Sequence, residues 1–169
     1  MYKRQGFIII NIELLEILID GVTGSHRFFS KYFNPNFYNF LIASFEILAF
    51  LVLISVILFW TRRNIVKIKR FLSSEMKGWP KFDADNILYF EVVLMLLFLS
   101  MNATDLILQE RNFEGYYKAG SFPISSFIVP LFDSFETSTV YVFERVFWWL
   151  HIIGIFFFLN YLYLSLIHI

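Results

Sequence analysis

Three long, mainly apolar stretches constrain this chain more than any other feature of its sequence. They lie at residues 37–60, 86–108 and 140–163. An α-helix of about 20 such residues crosses a hydrocarbon core about 30 Å thick. Because lipid offers the backbone no hydrogen-bond partner, a helix is the conformation that satisfies each stretch there. The sequence therefore predicts three full transmembrane helices.

A fourth apolar run, residues 6–20, is too short to span a bilayer unaided. At about 1.5 Å per residue, a helix of this length reaches only about 22 Å. We predict a helix over residues 6–22 and interpret it as the second half of a transmembrane helix. The predicted fold class is thus an all-α integral membrane helix bundle, with three full transmembrane helices and one truncated helix.

The composition agrees with a lipid bilayer as the surrounding partner. Hydrophobic residues make up 58% of the chain and only 17% are charged, against about 25% in typical soluble domains. The zero net charge gives no reason to expect a nucleic-acid partner. The chain has no cysteine, which excludes an iron–sulfur cluster or a thiolate zinc site held by these residues.

The charges of the connections predict how the bundle is oriented. The predicted loop 61–85 holds seven Lys or Arg residues and three acidic ones, whereas connections 21–36 and 109–137 hold two Lys or Arg residues each. By the positive-inside rule, loop 61–85 faces the cytoplasm. We therefore expect a multi-pass protein of the bacterial inner (cytoplasmic) membrane with a cytoplasmic C-terminus. In the last connection, residues 124–129 are apolar enough to lie in the membrane interface.

Both ends of the chain resemble translated sequencing-adapter DNA. Residues 1–5, Met-Tyr-Lys-Arg-Gln, and residues 164–169, Leu-Ser-Leu-Ile-His-Ile, match opposite strands of one transposon end used in shotgun sequencing. We expect both segments to be non-native, and residues 6–163 to be an internal fragment of a longer reading frame. His168 is accordingly not considered as a ligand.

Ionisable side chains inside apolar stretches are costly in lipid, so each is a candidate functional residue. His151 is the first candidate, because a neutral imidazole in a dry bundle is a natural axial ligand for haem iron. Gly154 lies on the same helix face and would leave room for the flat macrocycle. In the alternative interpretation, His151 is hydrogen-bonded to a neighbouring helix and Gly154 allows close helix packing.

Two acidic residues, Glu46 and Glu91, lie inside the second and third helices. They would form a proton path or line a quinone site. In the alternatives, they are protonated carboxyls bonded across helices, or partners of Arg145. All these interpretations remain open at the level of the sequence.

The first helix and the connection after it carry further polar candidates. Glu13, Glu16 and Asp20 follow one stripe of the first helix, which favours a wet or helix-facing stripe. His26 is a solvated loop histidine by default, or else a second ligand to a haem held by His151. The sequence contains no Gly-rich phosphate loop, no nucleophile elbow and no cluster of Cys and His with metal-ligand spacing. It therefore predicts no soluble-enzyme active site.

Several runs of the sequence together resemble one known family. They are Ile10-Asn11-Ile12-Glu13; Arg62-Arg63-Asn64 with Lys67-Ile68-Lys69-Arg70-Phe71; Glu75-Met76-Lys77-Gly78-Trp79-Pro80; Met101-Asn102-Ala103-Thr104-Asp105; Ala119-Gly120-Ser121-Phe122-Pro123; and Glu144-Arg145 followed by Trp148-Trp149-Leu150-His151-Ile152-Ile153-Gly154. In combination they resemble the bacterial membrane-bound iron–sulfur oxidoreductases related to heterodisulfide reductase. The membrane domain of that family is similar to the nitrate reductase gamma subunit, and the resemblance covers residues 6–163.

This resemblance implies a membrane anchor that passes electrons between the quinone pool and a cytoplasmic iron–sulfur domain through b-type haem. In the family, 4Fe-4S clusters lie in a C-terminal domain beyond this chain. His151 matches the ligand of the outer of two haems, and Ile169 stands where the ligand of the inner haem is expected. The parent protein would be an oxidoreductase, whereas we expect this fragment alone to be inactive and to bind haem poorly.

Two other functions fit the same residues. A transporter or channel would place Glu46, Glu91 and His151 along a water-filled path. A purely structural membrane anchor would use them only for hydrogen bonds between helices.

Overall fold

Four long α-helices make up most of the structure. This computed structural model describes residues 2–67 and 79–167, and its helices are α1 (Tyr2–Thr23), α2 (Pro35–Asn64), α3 (Trp79–Glu110) and α4 (Thr137–Ile167). Short 3-10 helices lie at Phe28–Lys31, Ser125–Phe127 and Val129–Leu131. No strand occurs in these two described ranges. The prediction of an all-α fold is therefore confirmed.

Three of the helices are long and apolar enough to cross a membrane. They are Pro35–Asn64, Lys81–Glu110 and Thr137–Leu164, and each contains one of the predicted apolar stretches. Their outward faces carry large exposed apolar side chains, among them Leu51, Leu58, Phe59, Val93, Leu96, Ile153 and Phe157. Contiguous apolar surface of this kind needs cover by lipid or protein.

The helices extend beyond the predicted stretches. The start of α2 is set by Asn34, whose side chain accepts a 3.0 Å hydrogen bond from the Asn36 amide, and by Pro35 in the first turn. At its other end α2 continues to Asn64, and α3 begins at Trp79, so the predicted loop 61–85 is shorter than expected. A helix satisfies its backbone in water as well as in lipid, so an apolar stretch marks only its minimum length. Residues 68–78 of this loop lie outside the described residues.

Helix α3 is central and packs against both α2 and α4. Side chains from all four helices meet in one apolar core whose buried members include Ile17, Phe45, Phe98, Leu99 and Ile152. Helices α1 and α3 finish, and α2 and α4 begin, at the same end of the bundle. We call this end the polar end. The opposite end, which contains Arg62 and Arg63, is the basic end.

Candidate functional site: two adjoining cavities in the helix bundle

His151 is buried on α4 and held by the backbone of α3. Its Nδ1 lies 3.1 Å from the carbonyl oxygen of Leu94, and the residue is 5% exposed. A carbonyl oxygen only accepts, so Nδ1 carries the hydrogen and donates it. Nε2 therefore keeps its lone pair, and no hydrogen bond to it occurs in the described part of the chain. This is the tautomer that a metal-ligating imidazole uses, with its second nitrogen oriented by a backbone carbonyl.

His151 borders a cavity of about 230 Å³ to which all four helices contribute. We call it the inner cavity, and its lining consists of Glu13, Leu14, Ile17, Phe45, Leu48, Ala49, Val52, Glu91, Leu94, Met95, Phe98, His151, Ile155 and Phe158. Three of these residues are titratable: Glu13, Glu91 and His151. Ligand sites are typically apolar cavities with a few polar groups that fix orientation. The inner cavity has that character, although it is smaller than the roughly 300–1,000 Å³ of most such sites.

Gly154 does not line the inner cavity. A Cβ at this position would come within 2.7 Å of Leu94 Cδ2, so Gly154 lets α4 approach α3 closely. The structure thus gives Gly154 the role of close helix packing, rather than the predicted contact with a macrocycle. Its effect on His151 is indirect, since Leu94 also supplies the carbonyl that orients the imidazole.

The two carboxyls predicted as proton or quinone candidates lie in different places. Glu91 is half-buried and lines the inner cavity. Glu46 is fully buried and does not line it; its carboxylate accepts hydrogen bonds from the backbone amides of Ile124 (2.9 Å) and Ser125 (3.2 Å). The hydroxyl of Ser125 and the Asn102 amide (3.2 Å) also donate to Glu46. Glu46 therefore anchors the α3–α4 connection inside the bundle.

This anchoring changes the expectation for residues 124–129. Ser125 is fully buried, whereas Phe127 is 82% exposed. The segment forms part of two 3-10 helices that rest on α3. It is thus fixed to the bundle on one side, and only the other side is available to an interface.

Arg27 and Asp105 form a buried ion pair at the polar end. The guanidinium contacts one carboxylate oxygen through Nε (3.0 Å) and Nη2 (2.7 Å), and Nη2 also donates to Asn102 Oδ1 at 3.0 Å. Their side chains are 12% and 5% exposed. Burial alone would lower the pKa of Arg27, but the acidic groups around it, with Asp105 foremost, together outweigh burial and hold that pKa well above its usual value. Arg27 therefore keeps its positive charge at any ordinary pH.

His26 belongs to the same cluster and is not a solvated loop residue. Its Nε2 lies 2.7 Å from Asp105 Oδ1, and its side chain is 11% exposed. Its Nδ1 is buried without a hydrogen-bond partner among the described residues. His26 and His151 line different cavities, so the structure does not bring together the pair of histidines predicted as alternative haem ligands.

His26 borders a second cavity, of about 40 Å³, at the polar end. We call it the outer cavity, and its lining consists of Glu13, Glu16, Ile17, Asp20, Ser25, His26, Arg27, Met101, Asp105, Glu144, Arg145 and Trp148. Most of these side chains are charged or polar. Two residues, Glu13 and Ile17, line both the outer and the inner cavity.

The acidic stripe of α1 faces its neighbours, as one of the two interpretations predicted. Asp20 accepts hydrogen bonds from the amides of Arg27 and Phe28, each at 3.0 Å. Glu16 accepts from the Phe29 amide (3.1 Å) and the Tyr38 hydroxyl (2.8 Å). These bonds fix the α1–α2 connection, and they place His26 and Arg27 over the end of α3.

Arg145 pairs with its neighbour Glu144 and not with Glu46 or Glu91. The two side chains form a short ion pair, and the guanidinium lies 5.6 Å from the centre of the Trp148 ring. The Tyr116 hydroxyl donates to Glu144 at 2.8 Å. Burial, together with the Glu144 carboxylate, raises the pKa of Tyr116 above its ordinary value. The predicted partnership of Arg145 with a mid-span carboxyl is therefore not the one formed.

Reasoning from the sequence missed the residues that build the polar end. From the sequence, Asp105 and Asn102 stand out only as members of one run that carries the family resemblance, yet Arg27 bonds to both. The spacing of Asn102, Asp105 and Gln109 on one face of α3 was the available indication, since a polar stripe on an apolar helix needs a polar partner. Nothing in the sequence pointed to Ser125 as the partner of Glu46.

The described residues contain no group of three or more His, Cys, Asp or Glu side chains that could hold a metal ion. A haem needs only one or two axial ligands, so this finding concerns metal sites built by protein side chains alone. No protein-family model, curated protein or solved structure matches this chain. The relationship to the iron–sulfur oxidoreductases therefore stays a prediction from the sequence runs.

Proposed function

We propose that this chain is an integral membrane helix bundle that carries electrons for an iron–sulfur oxidoreductase, as its membrane anchor. The observation that carries the proposal is His151: a buried imidazole whose Nδ1 is held by the Leu94 carbonyl and whose Nε2 keeps its lone pair beside an apolar cavity. Such a nitrogen is suited to bind iron. Three helices long and apolar enough to span a membrane support the location in a bilayer.

His151 would supply one protein ligand to a b-type haem. His151 would hold the iron, Leu94 would keep the imidazole in the required tautomer, and Phe45, Phe98 and Phe158 would exclude water. A bound haem supplies one-electron transfer, while the protein sets its surroundings. The described lining of the inner cavity has no second histidine, and its volume is small for a macrocycle.

A quinone is the second partner that we propose for the inner cavity. Quinone rings are flat and apolar with two oxygens that take up protons on reduction, which matches an apolar cavity bearing a few titratable groups. Glu91 is the mid-span carboxyl that faces this cavity, whereas Glu46 is engaged by the α3–α4 connection. Of the two predicted candidates, Glu91 is therefore the one that we assign to quinone or proton chemistry. The electrons would pass on to a cytoplasmic iron–sulfur domain.

Haem binding by the whole chain tests this proposal. We expect the detergent-purified protein, produced in cells supplied with haem precursor, to bind haem weakly and to show a small Soret band that shifts on reduction. Replacing His151 with Ala should remove nearly all of the band, because no other histidine among the described residues lines the inner cavity. Optical spectra of oxidised and reduced protein provide the measurement.

His26→Ala is the matched control, because His26 is also buried but lines the outer cavity. It should leave the Soret band in place. A band that survives in His151→Ala, or a wild-type protein that takes up no haem, would contradict the haem proposal. Flux of an ion or solute across liposomes without a redox signal would favour a transporter instead.

A further inference from the structure

The inner and outer cavities adjoin each other at one carboxyl group. Glu13 lines both cavities, together with Ile17, one turn further along α1. The outer cavity opens among the polar side chains of the polar end, while the inner cavity contains Glu91 and His151. A titratable side chain at such a junction is in position to exchange protons with both sides.

The outer cavity is suited to hold water. Its volume of about 40 Å³ exceeds the roughly 10–15 Å³ that one water molecule needs. Its wall includes His26, whose Nδ1 is buried without a partner among the described residues. A buried polar atom in this situation is ordinarily satisfied by an ordered water molecule. Size and wall chemistry thus both point to hydration of this cavity.

Glu13 is also the carboxyl of the α1 stripe that is not committed to the fold. Glu16 and Asp20 accept hydrogen bonds from backbone amides of the α1–α2 connection, so a change in their charge would disturb that connection. No hydrogen bond to Glu13 occurs in the described part of the chain. Rotation of its carboxyl from one cavity to the other would therefore break no hydrogen bond among the described residues.

We propose that Glu13 is a proton relay between the water of the outer cavity and the Glu91 carboxylate of the inner cavity. A proton passes from a hydronium ion in the outer cavity to the Glu13 carboxylate, which forms an O–H bond and leaves a water molecule behind. After the carboxyl rotates, that bond breaks as the proton moves to the Glu91 carboxylate. Glu13 is then a carboxylate again, and the reverse sequence carries a proton out. The relay goes beyond the electron-transfer proposal and does not require a haem.

The relay operates among other charges that face Glu13. They are Glu16 and Asp20 on α1, His26 and Arg27 in the α1–α2 connection, Glu46 on α2, Asp105 on α3, and Glu144 and Arg145 on α4. Four of these groups are already paired with an opposite charge, in the ion pairs Arg27–Asp105 and Arg145–Glu144. Glu13 is therefore the titratable group at the junction that is free of both an ion pair and a backbone bond.

The test is the rate at which protons reach Glu91 in the full chain reconstituted in lipid nanodiscs. A pH jump across the midpoint of Glu91 titration is followed in its carboxyl and carboxylate infrared bands, which are assigned by their loss in Glu91→Gln. We expect Glu13→Gln to slow this protonation by about tenfold or more, because the amide cannot carry the proton. Glu13→Asp keeps a carboxyl and should restore most of the rate.

Glu110→Gln is the matched control, since Glu110 is an exposed carboxyl at the polar end and lines neither cavity. If Glu13→Gln fails to fold, Ile17→Trp provides a second test, because it narrows the junction while Glu13 remains. Wild-type rates in both Glu13→Gln and Ile17→Trp would overturn the relay. So would a Glu13→Asp variant as slow as Glu13→Gln, or a Glu91 that shows no titration. Loss of haem binding alone would leave the relay intact and would count against the proposed electron transfer only.

Discussion

At the scale of single residues, the polar groups of this chain are of two kinds. Some hold the helices and connections together, and others remain available to bind a ligand or a proton. Glu46, Asp105 and Glu16 each accept several hydrogen bonds from loops or neighbouring helices. Glu91 and His151 face the inner cavity instead. Cost in lipid made Glu46, Glu91 and His151 equal candidates, yet burial alone does not identify a functional residue. A polar group is a better functional candidate when it borders a cavity and keeps a donor or acceptor atom free of structural hydrogen bonds.

The Arg27–Asp105 pair gives a prediction at this scale. Asp105→Ala leaves a buried guanidinium without its carboxylate, so we expect it to lower the free energy of unfolding by about 3 kcal/mol. The double variant Arg27→Met/Asp105→Leu removes both charges and should be clearly less destabilised than the single variant. Unfolding of the purified protein in mixed micelles, followed by loss of helical circular dichroism, measures both. A double variant at least as unstable as Asp105→Ala would show that the charge pairing is not what matters.

The sequence could not have predicted that pair from local patterns. Arg27 and Asp105 are 78 residues apart, and Glu46 and Ser125 are 79 apart. Helical periodicity predicts neither pairing, because in each pair one residue lies on a long helix and the other lies in a connection between helices. His151 was recognisable because it stands alone in an apolar stretch. Its hydrogen bond to Leu94 was not, since any backbone carbonyl of a neighbouring helix would serve equally well.

At the scale of helices, apolar length predicted α2, α3 and α4 but not the way in which α1 joins them. Lipid requires a helix from any apolar stretch of sufficient length, so the existence of the three spans followed directly. The association of helices in lipid depends instead on close packing and polar contacts, which apolar length does not encode. For α1 these are the bonds of Glu16 and Asp20 and the approach of Gly21 to Trp148.

The contact between Gly21 and Trp148 gives a prediction for helix packing. A Cβ at Gly21 would lie within 2.3 Å of the rigid indole ring, so Gly21→Ala must push α1 away from α4. We expect it to destabilise the bundle by about 1–3 kcal/mol, the usual cost of overpacking. Trp148→Leu in the same protein should recover part of that loss, because the smaller side chain leaves room for the methyl group. A double-mutant cycle of unfolding free energies measures the coupling, and strict additivity would contradict the contact.

At the scale of the whole molecule, the two ends of the bundle have different chemistry. The polar end contains the buried Arg27–Asp105 ion pair and two connections bound to the helices through Asp20 and Glu46. At the basic end, Arg63 donates to the Lys81 carbonyl at 2.7 Å, and Tyr161 donates to Asp83 at 2.5 Å. The outer cavity lies at the polar end, and the inner cavity lies near the middle of the bundle. In the proposed relay, the orientation of the bundle in a membrane would decide which compartment supplies protons to Glu13.

That orientation is directly testable because the chain has no native cysteine. Single substitutions Lys118→Cys at the polar end and Lys67→Cys at the basic end place one thiol each on an exposed position. Since clustered Lys and Arg residues stay on the cytoplasmic side, a membrane-impermeant maleimide should label Lys118→Cys in intact cells and Lys67→Cys only after the cells are opened. The opposite pattern would put the polar end in the cytoplasm. It would also separate the C-terminal end of α4 from a cytoplasmic iron–sulfur domain, and the electron-transfer proposal would then lose its acceptor.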